Sequence, residues 1–236
     1  MFIHSWSVEE QNKITKLYQP KASVFEKQKD FTPDVNAVDP QHFLYHWERD
    51  RNYLFRGFSF FYTRGKSLEL CQKHMESTGD TYDCVVVCRF DAGQRDRDQQ
   101  REFYVSRVNF DPTNPMNYLY SALYDQLNAG MADQWFYSKP ENVLPFTKMY
   151  DRVQAYLTPG SEYEKAATTG WPDSNFFKHP SPTDPRQFTN EVLKPQSERS
   201  KELAKYPRWD CVNNHLLHKW FLIEQGIYPT CKYLVG

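Results

Sequence analysis

Six of the ten residues in Tyr53-Leu54-Phe55-Arg56-Gly57-Phe58-Ser59-Phe60-Phe61-Tyr62 are aromatic. So much apolar area cannot stay in water, so this stretch constrains the fold more than any other. Aromatic side chains favour pleated structure, and the run reads as a β-strand. Thr63-Arg64-Gly65-Lys66 then reads as a turn, with Ser67-Leu68-Glu69-Leu70-Cys71 as an alternating return strand. A second β-pair is expected from residues 82–90, around Val85-Val86-Val87, and residues 102–110, through Tyr104, Val105 and Val108. The polar stretch 91–101 joins them as a solvated loop, and Asp111-Pro112 closes the unit.

Helical patterning lies mainly outside this region. Ser7-Val8-Glu9-Glu10 has the form of a capping box and opens a helix to about Tyr18, which Pro20 ends. Its apolar stripe is thin (Val8, Ile14, Leu17, Tyr18), and a helix that buries so little needs a partner surface. Residues 1–20 are therefore expected to form an arm. Pro33 and Pro40 punctuate an irregular stretch after it. A helix over 116–128 is predicted from Leu119, Tyr120, Leu123 and Leu127 on one face, with Gly130 near its end. Pro172, Pro180, Pro182, Pro185 and Pro195 make 171–195 an extended segment. Residues 210–225 carry the clearest helix, with Val212, Leu216, Trp220 and Ile223 along one side, Gly226 at the stop and Pro229 beyond. The fold class expected from these elements is α+β, mainly β: a compact antiparallel β-sandwich, jelly-roll-like, with a projecting N-terminal helix and a C-terminal helix. The division is an arm at 1–20 and a single β-sandwich domain with helical insertions at 21–236.

Charge narrows the function classes. The 236 residues hold 29 basic and 30 acidic side chains, a net charge of −1, which argues against a sequence-independent grip on nucleic acid. No apolar run reaches the ~18 residues of a membrane span, and residues 1–20 contain no apolar leader segment. Five cysteines, an odd number, are too scattered for a disulfide framework, so a soluble, reducing, intracellular setting is expected. Aromatic residues reach 17% although the mean hydropathy is −0.80. Tyr and Trp combine apolar area with a hydrogen-bonding group, which suits protein–protein contacts as well as cores.

Motifs for catalysis are sparse. Gly65-Lys66-Ser67 matches the end of a phosphate-binding loop, but Phe60 stands where the first glycine is required, and a hairpin turn accounts for it better. Cys211, His215 and His218 fall on one helical stripe with zinc-compatible donors and no fourth ligand; they read as surface or contact residues opposite the apolar side. His42 and His46 lack the glutamate of a metalloprotease helix, since Phe43 follows His42. Cys84 and Cys88 share a strand face and read as small apolar core residues. Arg56-Gly57, placed in a strand, with Glu162-Tyr163-Glu164 downstream, resembles the arginine and Glu-x-Glu of ADP-ribosyltransferases. In that family the arginine grips a nicotinamide dinucleotide and the second glutamate, here Glu164, positions the acceptor; the family's Ser-x-Ser strand is not evident.

Phe58-Ser59-Phe60-Phe61-Tyr62-Thr63-Arg64-Gly65-Lys66-Ser67-Leu68-Glu69-Leu70 resembles the aromatic strand, turn and return strand of cypovirus polyhedrins. Residues 82–90 and 102–112 are similar to their next hairpin, and Cys211 through Trp220 to Tyr228-Pro229 to their terminal helix. The likeness covers residues 53–112 and 210–233. It implies a non-enzymatic structural protein of viral occlusion bodies: a β-sandwich that assembles as homotrimers into crystals in the cytoplasm of infected insect cells, embeds virus particles and dissolves in alkali. Partners would be other copies of the chain and virions, with no membrane and no sequence-specific nucleic acid. Some polyhedrins trap nucleotides, but no motif here carries that over, and neither a cofactor nor catalytic, cofactor-binding or metal residues are assigned. The alternative is an intracellular enzyme of ADP-ribosyltransferase type.

Overall fold

The computed structural model describes residues 1–43, 47–90, 108–122, 133–168 and 211–234. In chain order the first half contains β1 (Phe2–Ser5), α1 (Gln11–Tyr18), β2 (Ala22–Phe25), α2 (Thr32–Ala37), α3 (Pro40–Phe43) and α4 (Trp47–Thr78). Then come β3 (Val85–Cys88), β4 (Leu119–Ala122), β5 (Trp135–Ser138), α5 (Pro140–Val143), a 3-10 turn at Leu144–Lys148, and α6 (Met149–Tyr156). Last are α7 (Glu162–Thr168), α8 (Asn214–Glu224) and β6 (Cys231–Leu234).

The aromatic run belongs to α4, a helix of 32 residues and about 48 Å. Its buried positions are Asp50, Leu54, Gly57, Phe58, Phe61, Arg64, Gly65, Leu68 and Cys71, recurring every three or four residues as a helical face demands. Two glycines on that face let neighbours come close. A Cβ on Gly57 would stand 2.6 Å from Asn214 Oδ1, and one on Gly65 would stand 3.1 Å from the carbonyl oxygen of Thr147. Around α4 pack β1, β2, α2, α6 and the 3-10 turn.

β1 and β2 form a parallel pair bridged by α1, with Ile3 paired to Ser23 and His4 to Val24. Residues 3–5 are buried, whereas α1 buries no residue. The second sheet has the order β3-β5-β4-β6, with β5 antiparallel to both neighbours and β4 parallel to β6. Alternation divides its faces. Leu119 and Phe136 join the main core, where Phe136 meets the Phe146 ring at 4.8 Å, while Tyr120, Ala122, Trp135 and Tyr137 form a second cluster on the other face.

The expected mainly-β antiparallel sandwich is overturned: helix makes up 57% of the structure and strand 15%, in two small sheets, neither closed. Residues 53–71 are not a hairpin, because the 3.6-residue period of their buried positions outweighs the β preference of single aromatic residues. Residues 119–122 are a strand rather than part of a helix, held by long-range pairing with Tyr137, Phe136 and β6; residues 123–128 lie outside the described ones. The strand around Val85-Val86-Val87 is present, but it pairs with β5. Residues 108–110 are not a strand, and 91–107 and 171–195 lie outside the described residues. The helix starting near Ser7 forms as a 3-10 turn at Val8–Glu10 followed by α1, without a capping box, since the Ser7 side chain makes no cap bond. Among the described residues no helix is long and apolar enough to cross a membrane.

Candidate functional site: an aromatic corner closed by Lys29

Phe31, Tyr62 and Tyr150 come from the β2–α2 loop, α4 and α6 and stand as three walls of a corner. Their centroids are 5.7 Å (Phe31–Tyr62), 6.0 Å (Phe31–Tyr150) and 5.4 Å (Tyr62–Tyr150) apart, with interplanar angles of 66°, 72° and 85°. Lys29 reaches back from its own loop into this corner. Its Nζ lies 4.7 Å from the Tyr150 centroid and 5.3 Å from those of Phe31 and Tyr62, and it donates to Tyr150 Oη at 2.6 Å. The hydrogen bond to Tyr150 raises the Lys29 ammonium above its ordinary pKa.

Carboxylates sit behind the rings. Tyr150 Oη donates to Asp34 at 2.9 Å and Tyr62 Oη to Glu26 at 3.3 Å. A phenol that donates to a carboxylate carries a more electron-rich ring, which strengthens its attraction for a cation. Burial also pushes both tyrosine hydroxyls up in pKa, so the rings stay neutral over a wide range. Trp6 stacks on Tyr62 at 5.6 Å and 16°, and its indole N–H donates to Ser59. His4 fixes the back of the cluster, its Nε2 donating to Glu26 at 2.9 Å while its ring meets Trp6 edge-on at 4.6 Å.

A second polar cluster is internal. Arg64 of α4 and His218 of α8 are buried, with Arg64 Nη1 3.0 Å from His218 Nε2 and Arg64 Nη2 donating to the Asp133 carbonyl at 2.9 Å. The guanidinium lies over Phe60 (4.0 Å) and Phe136 (4.9 Å). Burial lowers Arg64 to about 9, with Asp133 opposing, and it holds His218 well below its ordinary range with the Arg64 charge adding to the effect. Lys219 is also buried, its Nζ 5.0 Å from the Tyr228 ring centroid, and burial brings the ammonium down to about 7. This cluster ties α4, α8 and the segment before β5 together in the interior.

The sequence candidates disperse. Arg56 is exposed in the middle of α4 and not on a strand. Glu164 is buried in the first turn of α7, where Oε1 accepts from His42 Nε2 at 2.6 Å and Oε2 from the Gly160 N–H at 2.6 Å. Its carboxylate links α3 to the start of α7. Lys66 pairs with Glu69 at 2.9 Å, and Ser67 Oγ donates to the Thr63 carbonyl and accepts from His4 N–H, so Gly65-Lys66-Ser67 is neither phosphate loop nor hairpin turn. Cys211 and His218 are buried, against the expectation that their stripe faces away from the core. No group of three or more metal-ligating side chains occurs among the described residues. Cys88 is exposed and Cys84 half-buried, so the strand cysteines are not both core residues, and all five cysteines are free thiols. His46 lies outside the described residues.

Sequence reasoning missed the corner because its members lie far apart: Trp6, Lys29, Phe31, Tyr62 and Tyr150 share no periodic signal. The one local trace is the helical spacing of Phe55, Phe58 and Tyr62. No family model, curated protein or solved structure matches this chain.

Proposed function

We propose that this chain is a structural protein that works by contact with copies of itself, and that α1 is the element that meets a second copy. The single observation behind the reading is that α1 buries none of its residues while offering an apolar face. Ile14, Leu17 and Tyr18 lie at i, i+3 and i+4, with Leu17 69% exposed, and the Tyr18 ring continues the patch to Phe90, which is 55% exposed. A helix of this length with so little packing is marginal alone.

Charge favours a like partner. Glu9 precedes the helix and Lys16 lies in its last turn, so an antiparallel, two-fold pairing sets each Glu9 against the partner's basic end, while Glu10 already pairs with Lys13 at 3.0 Å within the chain. A net charge of −1 leaves little repulsion between copies. The specific form of the proposal, an occlusion-body protein forming intracellular crystals that hold virus particles and dissolve in alkali, is what the resemblance of residues 53–112 and 210–233 to polyhedrins implies; the part supported by the structure's surface is self-association through α1. Sedimentation of the purified chain and microscopy of insect cells expressing it test both levels. Concentration-dependent assembly that Leu17→Glu abolishes, with the fold intact, supports self-association. Cytoplasmic crystals support the occlusion-body form, and a monomer at all concentrations discards the proposal.

A further inference from the structure

We propose that the corner of Phe31, Tyr62 and Tyr150 is a binding site for a methylated lysine side chain of a partner peptide, with Lys29 as its resident competitor. The inference does not depend on self-association, since it uses none of the α1 residues.

Three ring faces set at 66°, 72° and 85° to one another converge on one point, and the chain already places a lysine ammonium there. An aromatic pair in an ordinary core needs no cation, whereas three convergent faces backed by Asp34 and Glu26 concentrate negative potential at the spot where Nζ lies. The occupant shows the class of ligand: a lysine stem entering past an extended loop, its charged head against the rings.

Lys29 is a weak occupant. Its side chain is exposed and tethered to a loop, and a primary ammonium is a compact, strongly hydrated charge that gives up water to enter. A trimethylated ammonium keeps the charge, sheds water more readily and offers methyl groups to all three faces. It does not need the Tyr150 hydroxyl as a hydrogen-bond acceptor. Tethering gives Lys29 an effective concentration in the millimolar range, so a ligand must displace it, and the apparent affinity is reduced by the fraction of closed sites. The chain therefore holds its own site shut until a better cation arrives.

The test uses the full chain and a peptide with one trimethyllysine, its unmethylated twin, and phosphocholine, with binding read from Trp6-sensitive fluorescence and calorimetry. Lys29→Ala is expected to tighten the apparent Kd for the methylated peptide by roughly threefold to tenfold, the factor by which a weak tethered cation–π contact closes the site. The unmethylated twin binds more weakly to both proteins. Tyr150→Ala abolishes binding, and Tyr150→Phe, which keeps the ring and the fold, retains it. The proposal is overturned if Lys29→Ala binds neither peptide, if methylation makes no difference, or if phosphocholine is preferred to the peptide.

Discussion

Arg64 Nη1 stands 3.0 Å from His218 Nε2, and both side chains are buried between α4, α8 and β5. A guanidinium only donates, so His218 meets it as a neutral imidazole accepting through Nε2. Burial and the facing cation both oppose a proton added to that ring, so α8 buries His218 in its neutral form.

Acid is therefore expected to loosen the fold before the carboxylates titrate. The His218 pKa is lower in the fold than its ordinary 6.5, so the unfolded chain takes up the proton first. The stability it contributes is complete above about pH 6.5 and is lost as the pH falls below it. Thermal unfolding between pH 7 and pH 5 is expected to show a falling Tm. His218→Gln, which keeps an acceptor for Arg64, flattens that slope; an unchanged slope removes His218 as its source.

Alkali acts with the opposite sign at the other end of α8. Burial raises the Tyr228 and Tyr233 hydroxyls and the Cys231 thiol, so their contribution is present below about pH 9 and is lost as the pH climbs through their higher folded values. Lys219, about 7 in the fold against 10.5, partly offsets this by gaining stability between those values. Because these tyrosines are internal, any assembly that dissolves above about pH 10 is expected to lose near-ultraviolet dichroism at the same point. Dissolution with the dichroism intact places the responsible tyrosines at contacts between copies.

The two glycines of α4 are expected to part company. Gly57→Ala meets only the far end of the Asn214 side chain, which turns aside, so the helix gains most of the ~1 kcal/mol that alanine offers over glycine. Gly65→Ala meets the backbone carbonyl of Thr147 and forces the 3-10 turn outward, an overpacking cost of about 1–3 kcal/mol that exceeds the gain. Urea midpoints compare them directly, and equal midpoints contradict the close approach at Gly65.

Glu224 at the end of α8 accepts from both Arg152 and Tyr156 of α6. Partial burial pushes its carboxyl up, but these two donors hold it below the ordinary value. Tyr156→Phe is expected to cost about 1.5–3 kcal/mol, as for a hydrogen bond to a charged group. Arg152→Ala, at the solvent edge, costs less than about 1 kcal/mol. A double-mutant cycle in denaturant checks the ranking, and a larger loss from Arg152 reverses it.

The terminal helix was legible because the spacing of Val212, Leu216 and Trp220 and the stop at Gly226 are local signals, and α8 runs Asn214–Glu224 with Gly226 at φ +68. Its orientation was not legible. Leu216, Leu217, His218, Lys219, Phe221 and Leu222 are all buried, so α8 is covered nearly all round and a single apolar stripe does not describe it. α1 is the converse case: its thin stripe and its end before Pro20 were visible in the residues, and the helix buries nothing.

The chain by itself determined the helices α1 and α8, the charge balance and the strand Val85–Cys88. It also determined that part of the aromatic run had to be buried, as Leu54, Phe58 and Phe61 are, while Tyr53 stays exposed. Whether that run became strand or helix was decided by tertiary structure. Aromatic residues are acceptable in either, and only packing of Leu54, Phe58, Phe61 and Leu68 on the elements around α4 selects the 3.6-residue repeat. Residues 119–122 illustrate the same limit: apolar side chains that suit a helix are held extended because β5 and β6 supply backbone partners on both sides. The corner around Lys29 lies furthest from the sequence. Its rings come from three segments spread over more than a hundred positions, and their mutual angles exist only once α4 and α6 have packed.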